Sequence, residues 1–381
     1  MVHILAYRAD VWSETDPRAD VSRPGGGHGF VQLLTLVVKG GSVGPALWEQ
    51  HCCLPVLPSA DVTELARYPA GSYVSVNVGY SLHSMADALA MIELLRRDAL
   101  ADGRFRLVRT FADTEVAAVG PEAAVALAFD LEDSRPLDGD LDNVTRFHDL
   151  GVRSLLPTYN HANAAGGGCL DTDDRGLTGY GRDLIRTLGE VGVFADGSHC
   201  SRRTGLDIAE VSGGPMIYSH SNFAALWPHP RNITDDQARA CAASGGVIGI
   251  NGVGIFLGRN RVEGRAARIE AMADHIAYGA ELVGVEHIGI GSDFSFDGDQ
   301  FNAEIAAAPE NFSEDYTRWG PLQWVPPEDL LGIDREGAGN SVDMAGVPSL
   351  DDALARKGFT EAERVKIFRG NFARVAREVW K

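Results

Sequence analysis

The chain has 381 residues, 45% of them hydrophobic, with 44 glycines and 17 prolines, which is enough to bury the core of one large domain. Its formal charge is -19 and its pI about 4.9, and no run of Lys or Arg offers a stripe along which phosphates could track. Nucleic acid and anionic membrane are therefore poor partners, and a protein that handles small molecules is expected.

Residues 1–44 fit no repeating pattern; within them HGFVQLLTLVVKGG reads as a strand or hairpin, a small β element appended to the N-terminal side. The opening MVHILAYRADVWSETD has no basic stretch leading into an apolar core, and the longest apolar runs elsewhere are shorter than a membrane span. Five scattered cysteines do not make a disulfide framework, so a cytoplasmic protein with reduced thiols is expected.

GPALWEQHCCLP then reads as a strand ending at His51. SYVSVNVGY, AVALAFDLE, GVRSLLPTYN, VGVFADGSH, PMIYSHS, GGVIGINGV and HIGIGSDF follow as further strands, mostly unbroken apolar runs of the kind buried on both faces in a parallel sheet. Between them LHSMADALAMIELLRRDAL, LDNVTRFHDL, GYGRDLIRTLGEV and RAARIEAMADHIAYGAELV repeat apolar residues every three or four positions and predict helices. NITDDQARACAAS opens with a capping box formed by Thr234 and Gln237.

Alternating strands and helices of this number predict an α/β fold, a (β/α)8 TIM barrel forming one domain over residues 1–381. An open doubly wound sheet is the rival, disfavoured because no Gly-rich phosphate fingerprint opens a helix. Residues 294–350 are polar, rich in Pro and Gly and weakly periodic, a long C-terminal loop and helix segment expected to act as a lid or interface.

In a barrel the active site lies where the carboxyl ends of the strands meet the following loops. Those ends carry His51 with Cys53, then Glu132, Tyr159 with Asn160, His199, His220 and Asp293. Imidazoles, carboxylates and a thiol are the ligands of a divalent transition metal, zinc first among them. Ser198 and Ser219 precede the two later histidines and are small enough not to crowd the barrel mouth. Singly, each residue has an ordinary reading as a hydrogen-bonded core group or a capping acid; their recurrence at the same end of successive strands favours a site.

The succession LEDSRPLDGDLDNVTRFHDLGVRSLLPTYNHAN, GLTGYG, DGSH, PMIYSHSN, HPRNITD, GGVIGI and GIGSDF resembles the membrane dipeptidase (renal dipeptidase) family of metallopeptidases, in register from Glu132 to Asp293. FTEAERVKIFRGNFARV resembles the closing helix of that family. The resemblance implies an amidohydrolase-like barrel with two zinc ions that hydrolyses dipeptides by a metal-bound hydroxide. It implies that Glu132 bridges the ions, that His199 and His220 hold one of them, that Arg231 binds the substrate carboxylate and that Asp293 handles protons beside the bridging water. It also implies a homodimer.

Two positions depart from the family pattern. A His-x-Asp pair that ligates the other zinc is replaced by His51 and Cys53, and a histidine that contacts the substrate or its oxyanion is replaced by Tyr159, with Asn160 beside the substrate and His161 close enough to substitute. The expected reaction is hydrolysis of a dipeptide or related amide with a free carboxylate. An N-acyl amino acid, a modified dipeptide or a lactam is the alternative substrate, and a metal-depleted, non-catalytic binding homologue is the alternative from another class.

Overall fold

The computed structural model describes residues 47–53, 72–81, 83–101, 103, 105–117, 124–259, 264–291, 293–295 and 346–380. The β element expected over 1–44 and nearly all of the segment expected over 294–350 lie outside the described residues. The strands, in chain order, are β1 (Leu47–Cys53), β2 (Ser72–Gly79), β3 (Phe105–Leu107), β4 (Val125–Leu131), β5 (Val152–Leu155), β6 (Phe194–Ala195), β7 (Ile217–Tyr218), β8 (Val247–Ile250), β9 (Ile288–Ile290) and β10 (Phe294–Ser295). The helices are α1 (Met85–Ala101), α2 (Phe111–Ala117), α3 (Asp142–Leu150), α4 (Gly179–Val191), α5 (Arg202–Val211), α6 (Asp235–Ala243), α7 (Gly264–Val283), α8 (Gly346–Arg356), α9 (Glu361–Val365) and α10 (Asn371–Val379).

All described strand pairs are parallel. One sheet runs β10-β1-β2-β4-β5-β6 with β3 paired to β4, and the other runs β7-β8-β9. A parallel bridge between Asp196 and Ile217 ties the end of β6 to the start of β7. Helix starts follow the sequence: Thr178 accepts the Gly181 N–H at 3.0 Å, and Gln237 Oε1 accepts the Thr234 N–H at 2.9 Å, the reciprocal half of the expected capping box. No described helix is long and apolar enough to cross a membrane.

The two ends of the strands have different chemistry. Tyr73, Phe194, Ile217 and Val247, at the amino ends of β2, β6, β7 and β8, form an apolar cluster with Phe372, Val375, Ala376 and Trp380 from α10 and its last turn. Trp380 meets the rings of Tyr73 and Phe194 with centroids 5.6 and 5.0 Å apart. Each large side chain buried there contributes about 1.5–3 kcal/mol, so α10 locks that face of both sheets. The carboxyl ends remain for polar groups.

Candidate metal and substrate site

Glu132 follows β4, His199 follows β6 and His220 follows β7, and all three are buried. His199 Nε2 lies 3.1 Å and His220 Nε2 3.4 Å from Glu132 Oε1, and the two Nε2 atoms are 3.0 Å apart. Three acceptor atoms so close repel one another unless a cation or protons lie between them. Bonds of about 2.0–2.1 Å around a tetrahedral ion would set donor atoms about 3.3–3.4 Å apart, close to the spacing seen. The donor set therefore fits a divalent transition metal, and these residues form a group able to hold one.

Each of these three side chains is fixed from behind. Asn77, on β2, donates its amide to Glu132 Oε2 at 2.7 Å. Asn160 Oδ1 lies 2.7 Å from His199 Nδ1, and Ser219 Oγ lies 2.6 Å from His220 Nδ1. Asp196 is fully buried and accepts the N–H groups of both Ser198 and Ser219 on Oδ1, at 2.9 and 3.0 Å. Burial pushes its carboxyl above the usual range. One carboxylate thus joins the two turns that carry the histidines, and the paired serines take part in the hydrogen bonding besides being small.

The turns are conformationally special. Among the described residues Asp138, Asn160, His199 and Asp293 are the non-glycine positions with positive φ, and three of these four are expected site residues. Tyr159 stacks on the His199 ring at a centroid distance of 4.2 Å and an interplanar angle of 22°. Its N–H is held at 3.0 Å by Asp133, whose carboxyl burial raises to about 6. Asp293 Oδ2 accepts the Asn251 amide at 3.0 Å, and Asn251 in turn exchanges hydrogen bonds with Asn222 beyond β7.

Arg231 is buried, with Nη2 donating to the His220 carbonyl at 3.2 Å and the guanidinium 5.2 Å from the centre of the Phe256 ring. It lines a cavity of about 350 Å³ that also meets His199, Cys169, Ser201 and His229. His229 accepts the Arg231 N–H on Nδ1 at 3.1 Å, and burial pushes its imidazole down to about 3, so it stays neutral.

The expected residues thus converge in part. Glu132, His199 and His220 form the centre, Tyr159 and Asn160 hold the His199 ring, and Arg231 donates to the His220 carbonyl. His161 has a half-exposed side chain 3.5 Å from Asp171. The backbone of β1 runs beside β2, with Cys53 opposite Asn77, but the side chains of His51 and Cys53 lie outside the described structure. Sequence reading missed Asn77, Asp196 and Asn251. The one available signal was that all three, like Glu132, His199 and His220, stand in or just after an apolar strand.

The family model described as "Membrane dipeptidase (Peptidase family M19)" matches residues 57–307. The chain belongs to this family of metallopeptidases. It is 31% identical over 289 residues to an uncharacterized protein from the pqqA 5′ region of Klebsiella pneumoniae, an alignment covering 73% of this chain and 90% of that one. An uncharacterized dipeptidase of Schizosaccharomyces pombe is 32% identical over 212 residues, covering 55% of this chain and 50% of that protein, so the match spans about half of the yeast protein. An amidohydrolase from Pseudomonas aeruginosa shares the fold with a TM-score of 0.69 at 23% identity, covering 88% and 96% of the two chains. So does a metallopeptidase from Rhodobacter sphaeroides bound to a phosphinate mimic of L-Ala-D-Ala, with a TM-score of 0.65 at 23% identity and coverage of 89% and 100%.

Proposed function

We propose that the protein is a zinc-dependent hydrolase of dipeptides or dipeptide-like amides, with its site at the carboxyl face of a closed (β/α)8 barrel. The observation that carries this reading is the meeting of Glu132, His199 and His220 from three strand ends at donor spacings of 3.0–3.4 Å. Closure is supported by the Asp196–Ile217 bridge between the sheets and by β10, which follows β9 closely and pairs with β1.

Glu132, His199 and His220 would hold one ion, and His51 and Cys53 of β1, together with Glu132, would hold a second. A divalent metal there would supply Lewis acidity, activating water and polarising a carbonyl. Arg231 pairs with the free carboxylate of the substrate and selects short substrates. Asp293 Oδ2, oriented by the Asn251 amide, takes the proton released as water adds to the amide carbon and passes it to the leaving nitrogen when the C–N bond breaks. The Tyr159 phenol donates a hydrogen bond to the oxyanion, with His161 as the other candidate donor. Cys53 and Tyr159, standing where the family carries other residues, favour an N-acyl amino acid, modified dipeptide or lactam as the second reading of the substrate. The reading also places the enzyme in the cytoplasm, supported by the odd cysteine count, and as a homodimer, supported by the family alone.

Elemental analysis of wild type and Cys53→Asp, paired with hydrolysis of a panel of dipeptides and N-acyl amino acids, tests the proposal. Two zinc ions per chain and turnover of at least one amide are expected in the wild type. A wild type with at most one ion and no turnover, gaining the second ion in Cys53→Asp, would establish the metal-depleted binding homologue instead.

A further inference from the structure

We infer that Asn160 is a positioning residue for the metal, holding His199 as the Nδ1–H tautomer so that its Nε2 lone pair faces Glu132 and His220. The inference rests on the reading that these three residues bind a metal. A carbonyl oxygen only accepts, so Asn160 Oδ1 at 2.7 Å from Nδ1 requires the proton of a neutral His199 to sit on that nitrogen. Cys169 Sγ lies 3.6 Å from the same oxygen, where its thiol can donate a second, weaker hydrogen bond to it. The opposite amide orientation would put a donor against Nδ1, move the imidazole proton to Nε2 and aim it at Glu132 Oε1.

The backbone around Asn160 is built to keep that oxygen in place. Asn160 sits at φ 57° and His199 at φ 62°, and the Leu170 N–H binds the Asn160 carbonyl at 2.8 Å while the Cys169 N–H binds the His199 carbonyl at 2.9 Å. Gly168 makes the approach possible, because a Cβ there would lie 2.2 Å from the Asn160 carbonyl. Outer partners of metal-bound histidines change metal affinity by about 10- to 100-fold.

Asn160→Gly removes the acceptor and tolerates positive φ, and Asn160→Asp keeps an acceptor in a residue that also tolerates it. Histidine-selective ¹⁵N spectra of the metal-free chain, assigned with His199→Gln, report the tautomer, and competition against a chromogenic chelator reports zinc affinity. Wild type and Asn160→Asp should show Nδ1–H at His199. Asn160→Gly should lose it and bind zinc about 10- to 100-fold more weakly, while an unchanged urea midpoint shows that the chain is folded. A wild-type His199 that carries no proton on Nδ1 overturns the proposal without any variant, as does an Asn160→Gly protein with unchanged Nδ1 protonation and zinc affinity. The tautomer is read without metal or substrate, so a chain that hydrolyses no amide leaves this result standing and counts only against the proposed function.

Discussion

Arg231 is 3% exposed, and among the described residues no carboxylate pairs with its guanidinium. A buried charge without a counter-ion is costly, and an anionic ligand arriving from the adjoining cavity offsets that cost. Arg231→Ala should therefore raise KM for a dipeptide about 10- to 100-fold, the equivalent of a lost charge-assisted contact, with zinc content unchanged. Steady-state kinetics beside elemental analysis check this, and a parallel loss of zinc would show that the residue supports the metal site instead. The contrast with Asn77 and Asn251 shows what was legible at this scale. Histidines and acids after apolar strands announce themselves by residue type. A neutral amide does so only through its partner, and Asn77 meets Glu132 across 55 residues and Asn251 meets Asp293 across 42.

The carrier elements are short strands that end in turns, and their spacing depends on glycine. A Cβ on Gly249, in β8, would stand 2.0 Å from the Ser219 carbonyl oxygen, at the turn that presents His220. Gly249→Ala should thus destabilise the fold by about 1–3 kcal/mol as β7 is pushed away; an unchanged urea midpoint would mean that the strands have room to spare. Apolar runs made the main strands readable, because a strand covered on both faces leaves an unbroken signal. The three residues of β3, Phe105–Leu107, were missed for the same reason, since the run is brief and interrupted by Arg106. The αL turns at Asn160, His199 and Asp293 left no usable mark either, as Asn, His and Asp adopt that conformation more often than other side chains but, unlike glycine, do not announce it.

At the scale of the whole molecule the α/β class and the crowding of polar groups at one end of the strands were legible, because alternation of strand and helix dictates both. The coupling of the outer helices to the site was not. His275 on α7 accepts the Phe223 N–H on Nδ1 at 3.1 Å and thereby ties that helix to the loop leaving His220. Burial pushes its imidazole from 6.5 down to about 4, because a protonated ring would lose both its solvation and its acceptor role. Above pH 6.5 the group is neutral in folded and unfolded chains and adds no pH dependence. Between 6.5 and about 4 the unfolded chain takes up a proton that the folded chain refuses, so stability falls as pH falls. The accumulated loss from this residue is roughly 3 kcal/mol, and His229, pushed down to about 3, adds to it in the same direction. His275→Gln retains a side-chain acceptor but cannot titrate. Its urea midpoint should decline less steeply than that of the wild type from pH 6.5 toward 4; matching slopes for the two proteins would mean that His275 is protonated in the fold and that α7 is held to the site by other contacts.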